Sequence, residues 1–201
     1  MRGLGNFLCR HCYLIVFVYA LAGQAAEPDS SMAGYVEELG PELACSACAL
    51  SMQSLRTLFA SKRKALKTKD AEKKKVVVKD ALAATCDKTR FPDEFIIHED
   101  QGGGGKRYKD WTEFMKKFGT SSEVKGYSEG QKCGDSCVKN RENVRRFCNS
   151  VLDQLGTHLV EQALAVKRPG GFNWERLACV NKLSVCNTTL MHNTDEDEEE
   201  L

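Results

Sequence analysis

The stretch Cys45-Ser46-Ala47-Cys48 decides the fold. From Cys45 the sulfur and apolar side chains recur at Cys48, Met52, Leu55 and Phe59, stepping by three and four residues as one face of an α-helix does. Both thiols therefore look inward from a helix. A second pair, Cys179 and Cys186, is seven residues apart near the C-terminus, close to two helical turns, so those two also share a face. Two inward pairs at opposite ends of the chain point to two staples side by side.

Working outward, Pro41 suits the first turn of the Cys45 helix and Glu42 its positive end, and the periodicity carries the helix to about Lys64. Residues 62–79 then hold nine Lys or Arg against Asp70 and Glu72. The pattern predicts a break near residues 68–70 and a second helix from there to Cys86, with Asp70 and Lys74 as an i,i+4 pair. A solvated helix face is the preferred reading of this run. The alternatives are an acidic client or an anionic membrane surface.

Pro92 stops the second helix. Residues 94–99 and 106–108 flank four glycines, predicting a loose hairpin or a floppy excursion; the glycines lack the spacing of a phosphate-binding loop. Asp110 with Glu113 begins a short helix through Trp111, Phe114, Met115 and Phe118, a lid on the core, with a partner-facing cluster as the alternative. After a polar loop comes Cys133-Gly-Asp-Ser-Cys137. Asn140 is the expected cap of a third helix, buried along Val144, Phe147, Cys148, Val151, Leu155, Leu159 and Ala163 and reaching about Val166. Pro169-Gly170-Gly171 ends it, and Asn173 caps a fourth helix running from Trp174 toward Cys186.

The chain of 201 residues suits one domain. Its formal net charge of +1 offers no case for nucleic acid. Ten cysteines, eight of them beyond residue 40, indicate an oxidising compartment and a disulfide framework. The start agrees: Arg2 and Arg10 precede an apolar stretch at 13–23, then Gly23-Gln24-Ala25 as a cleavage site, so residues 1–25 read as a secretory signal peptide. That stretch is about half the length a membrane anchor needs. Residues 26–40 read as a loose, flexible lead-in.

If the first and last helices lie antiparallel, Cys45 meets Cys186 and Cys48 meets Cys179, leaving Cys86 for Cys148. Cys133 and Cys137 suit a local bridge, with a free pair or an intermolecular thiol as the alternatives. A C-x-x-C on a first helix, single cysteines ending the second and opening the third, and two cysteines about seven apart at the end resemble the saposin-like scaffold. Within it, Cys45-Ser-Ala-Cys48, Thr85-Cys86-Asp87, Phe147-Cys148, Leu177-Ala178-Cys179 to Cys186 and the final Glu-Glu-Leu resemble the canopy family of endoplasmic-reticulum proteins. The match covers about residues 41–186 plus the tail. Cys133 and Cys137 fall outside the six-cysteine pattern.

The resemblance implies an all-α, disulfide-stapled, saposin-like four-helix fold over residues 41–190, with an irregular insertion at about 91–136 between the second and third main helices. It implies a noncatalytic helper in the folding or assembly of secretory or membrane proteins, working with lumenal chaperones. The acidic tail, 191–201, ends in Glu198, Glu199, Glu200 and Leu201, a variant of the usual retrieval ending, which places the protein in the endoplasmic-reticulum lumen, with secretion as the alternative. A thiol-disulfide oxidoreductase using Cys45 and Cys48, and a lipid-binding saposin-like protein, are the competing functions. The first lacks the thioredoxin-like βαβ context; the charged 62–79 run speaks against the second. His98, His158 and His192 show no ligand spacing, so no metal or cofactor is expected. Asn187-Thr188-Thr189 satisfies the N-glycosylation sequon.

Overall fold

Helix α2 (Pro41–Ser61) is the axis of the molecule, and Pro41 takes its first turn. In the computed structural model, which describes residues 32–99, 105–118 and 133–187, its buried side runs from Ala44 and Cys45 to Leu58 and Phe59. Ser51 and Ser54 sit on that buried side because their hydroxyls are satisfied: Ser51 donates to the Ala47 carbonyl (2.7 Å) and Ser54 to the Thr85 carbonyl (2.8 Å).

Ahead of α2 the structure has a helix, α1 (Met32–Leu39), where the sequence predicts a loose lead-in. Eight residues cannot hold a helix by local propensity; α1 is held by docking. Tyr35 packs edge-on against Phe147, and Arg146 lies 5.2 Å over the Tyr35 ring while reaching Glu38. Gly40 links α1 to α2 at φ 80°, ψ 157°, a conformation only glycine adopts without strain.

After Lys62 the chain makes the one-turn helix α3 (Arg63–Leu66) and then α4 (Ala71–Ala83). Asp70 caps α4, its side chain accepting the Glu72 and Lys73 amides. The expected Asp70–Lys74 pair does not form: Asp70 meets Lys73 at 3.5 Å, and the Lys74 ammonium donates to the Leu164 carbonyl at 2.8 Å. Leu164 lies in the last turn of the long helix α6 (Asp135–Ala165), so Lys74 serves the negative end of a neighbouring helix. Helix α4 ends at Ala83, and Cys86 follows in a turn.

The region between α4 and α6 departs from an all-α description. Strands β1 (Phe95–Glu99) and β2 (Lys106–Asp110) form an antiparallel pair in which Ile97 faces Tyr108 and Glu99 faces Lys106. Asp110 then caps α5 (Trp111–Phe118) by accepting the Thr112 and Glu113 amides. Trp111 and Phe114 form a satellite cluster with Ile96, Met115 and Cys133, so this helix covers its own hairpin and not the main core.

Helix α6 begins at Asp135, nearly two turns earlier than the sequence predicts, and Asn140 lies inside it. Asn140 is no cap; its amide donates to the Phe95 carbonyl at 2.9 Å and ties β1 down. After a 3-10 turn (Pro169–Gly171), Trp174 is fully buried against Phe59 and Phe172, its indole donating to the Pro169 carbonyl. The last helix (Arg176–Lys182) is wound as a π-helix, with Leu183 N–H bonded to the Ala178 carbonyl five residues back. The molecule is therefore mostly helical, with one two-stranded sheet among the described residues.

Candidate functional site

Four cysteine pairs lie at disulfide distance: Cys45 with Cys186, Cys48 with Cys179, Cys86 with Cys148, and Cys133 with Cys137. Cys45 and Cys48, one helical turn apart, both reach the C-terminal segment. The π-helix stops at Lys182, short of Cys186, so the two-turn argument for Cys179 and Cys186 is not how they meet. Ser184 takes a positive φ of 54° and the chain folds back, with the Val185 and Cys186 amides both donating to the Cys179 carbonyl. That reversal sets Cys186 beside Cys179, and the two sulfurs meet successive turns of α2.

Between the two cysteines of the clasp, Ser46 faces elsewhere. Its hydroxyl accepts the Tyr108 amide at 2.9 Å, and Glu42, one turn earlier, accepts the Lys106 amide at 2.8 Å. Alternate amides of β2 point to opposite edges, so Lys106 and Tyr108 present theirs to α2 while the other edge pairs with β1. Two helix side chains thus take the place of a third strand and cover an otherwise open edge. On the far side of the hairpin, Asn140 holds Phe95. The buried Arg141 donates to the Lys88 carbonyl at 2.6 Å and meets Asp93 at 2.9 Å. Ser46, Glu42 and Arg141 carry no recognisable motif. A serine between two inward cysteines is ordinary in a helix until the hairpin's position is known.

Burial pushes the Tyr108 phenol above its ordinary value; Asn143 beside it opposes the rise and the Glu38 carboxylate adds to it. No group meets the hydroxyl in hydrogen-bond geometry. On the surface of α6, the Arg145 guanidinium bonds both Glu142 oxygens and holds that carboxyl below its ordinary value.

Thiol chemistry divides the eight described cysteines. Cys45, Cys48, Cys86, Cys137, Cys148, Cys179 and Cys186 are buried, at 6 % exposure or less, while Cys133 is only partly buried. The C-x-x-C pair is thus neither bonded to itself nor open to solvent. Among the described residues no cluster of three or more His, Cys, Asp or Glu could hold a metal ion. His98 packs against the Phe114 ring, and His158 lies on α6.

The cationic run is a surface feature. Arg63, Lys64, Lys67, Lys69, Lys73, Lys75 and Lys79 are exposed, whereas Lys74 is drawn toward α6. Val76 stands 56 % exposed among them. No described helix is long and apolar enough to cross a membrane. Asn187 is exposed directly after the buried Cys186. Its sequon partner Thr189, the leader at 1–25, His192 and the ending Glu198, Glu199, Glu200 and Leu201 lie outside the described residues.

Four disulfide-distance pairs mark a secretory or lumenal protein. Comparison of the chain with protein-family models, with curated proteins and with solved structures finds no match.

Proposed function

We propose that this chain is a noncatalytic chaperone or client adaptor of the endoplasmic-reticulum lumen, built on a saposin-like scaffold of the canopy type. The observation that carries the reading is the fate of the C-x-x-C: Cys45 and Cys48 each bond a different buried sulfur far away in sequence. A redox couple needs its two sulfurs to exchange with each other at an accessible surface. A clasp needs them buried and spent. What is left for function is surface: the exposed cations of 62–79 and the hairpin with its α5 cover, which suit binding to folding secretory or membrane proteins and to lumenal chaperones.

In this reading the ending Glu198-Glu199-Glu200-Leu201 retrieves the protein to the lumen, and Asn187 carries a glycan. Cells expressing a chain truncated before Glu198 secrete it, and a glycosidase mobility shift disappears in Asn187→Gln. The test of function is crosslinking in secretory cells followed by identification of bound chains, beside an insulin-reduction assay. Recovery of nascent secretory chains or lumenal chaperones, with no insulin turnover lost in Cys45→Ala, supports the reading. No such partner, or turnover that depends on Cys45, overturns it.

A further inference from the structure

The fourth cysteine pair differs from the other three in position, exposure and the length of chain it closes. Cys133 and Cys137 are four residues apart, against 141, 131 and 62 for the other pairs. Cys133 is the one described cysteine that is not buried. It lies at the border of the satellite cluster of Trp111 and Phe114, outside the main core. We propose that Cys133–Cys137 is a thiol-exchange site: a disulfide that opens and closes against external thiols while the three long tethers keep the fold intact.

Attack on a disulfide needs access to one sulfur and a partner able to leave as thiolate. Access exists only at Cys133. An incoming thiolate bonds the Cys133 sulfur, the Cys133–Cys137 bond breaks, and Cys137 leaves with the electron pair and takes a proton from solvent. A second thiol of the same substrate then bonds the first and releases Cys133. The substrate dithiol becomes a disulfide, losing two electrons and two protons; the Cys133–Cys137 pair gains them. A small disulfide such as oxidised glutathione restores the pair by the reverse exchange.

The leaving sulfur sits in the first turn of the 31-residue helix α6, where N–H groups favour a thiolate. Asp135 on the same turn works against this. The neighbouring Glu94 carboxylate is already engaged by the Cys133 amide at 3.1 Å. Opening the short loop also releases little chain. Gly134 to Cys137 keep their helical bonds, the Cys137 and Val138 amides donating to the Gly134 carbonyl, while α6 downstream is held by Asn140 and Arg141. The site can cycle without unfolding, which no other pair here can do. This stands without the adaptor reading and changes its noncatalytic part, since turnover here depends on Cys133 and Cys137 and not on Cys45; the probes are small thiols and not a client.

The test is a titration of the native protein with reduced glutathione, read by differential alkylation and peptide mapping together with circular dichroism. The expected result is that Cys133 and Cys137 become alkylatable first, with the other six cysteines blocked and the helical signal unchanged. Single variants identify the attacked sulfur: with oxidised glutathione, Cys137→Ser accumulates an adduct on Cys133 and Cys133→Ser stays unmodified. The proposal fails if the pair opens only together with a long tether, if its opening abolishes the helical signal, or if the adduct forms on Cys137 and not on Cys133.

Discussion

The Ser46 hydroxyl accepts the Tyr108 amide at 2.9 Å, from a helix position flanked by two bridged cysteines. The same turn of α2 therefore holds the C-terminal segment by covalent bonds and the hairpin by hydrogen bonds. Removing the acceptor in Ser46→Ala leaves a part-buried N–H unmet and costs about 1 kcal/mol. Amide exchange at Tyr108 accelerates, and the four cysteine pairs stay formed. Unchanged protection at Tyr108 would show that the hairpin is held by other means.

Gly170 and Gly171 are neighbours with opposite tolerance. A Cβ on Gly170 would lie 2.7 Å from the Ala60 Cα, a backbone atom that cannot swing aside, whereas a Cβ on Gly171 meets nothing within 4 Å. Gly170→Ala is expected to lower stability by about 1–3 kcal/mol, as overpacking does, and Gly171→Ala to change it by less than about 0.5 kcal/mol. Urea denaturation of the two variants side by side checks this; equal midpoints would mean that the turn does not press on α2.

Arg141 fixes the approach to β1 by giving its guanidinium to the Lys88 carbonyl and to Asp93. Arg141→Ala takes the charged donor from that carbonyl, leaving it the longer Phe91 amide bond at 3.5 Å, and costs about 1–3 kcal/mol. Arg141→Lys recovers only part, because one ammonium cannot reproduce the fork. Hydrogen exchange across 88–99 reads the loss locally. Protection in the Lys variant equal to that of the wild type would argue that the charge alone matters.

The Tyr108 phenol supplies a pH test. Its folded pKa is raised, chiefly by burial, above an unfolded value of about 10. The unfolded chain gives up the proton first, so the contribution is whole below about pH 10 and is lost as pH rises through the folded pKa. Tyr108→Phe should flatten this alkaline loss while leaving neutral stability nearly unchanged, since the hydroxyl has no hydrogen-bond partner to forfeit. An identical alkaline decline in wild type and variant would contradict the assignment.

The helices were legible where one face repeats: α2 from Cys45 to Phe59 and α6 from Val144 to Ala163 carry the period that their burial requires. The segment on either side of the glycines read equally as a hairpin or a floppy excursion, and the pairing of Phe95–Glu99 with Lys106–Asp110 decides for the hairpin. What the sequence did not disclose came from contacts between distant segments. Helix α1 is held by docking, with Tyr35 on Phe147 and Glu38 at Arg146, Lys74 leaves Asp70 for a helix end 90 residues away, and Asn140 caps nothing because it is needed at Phe95. The π-helix was hidden for a different reason: the Trp174, Leu177 and Cys179 pattern fits an ordinary helix, and the wider turn goes with the return of residues 183–186 over the Cys179 carbonyl.

The central claim is that Cys45 and Cys48 are two anchors of the chain's far end and not a couple. A bridge closing 141 residues stabilises by about 4–5 kcal/mol in the chain-entropy picture, though bridges that share a loop do not add. Peptide mapping of the native protein under nonreducing conditions tests this most directly. The account predicts one crosslinked peptide set joining Cys45 to Cys186 and Cys48 to Cys179, with no free thiol at either position. A peptide containing a Cys45–Cys48 bridge, or alkylation of either thiol in the folded protein, would contradict it and return the C-x-x-C to a redox role.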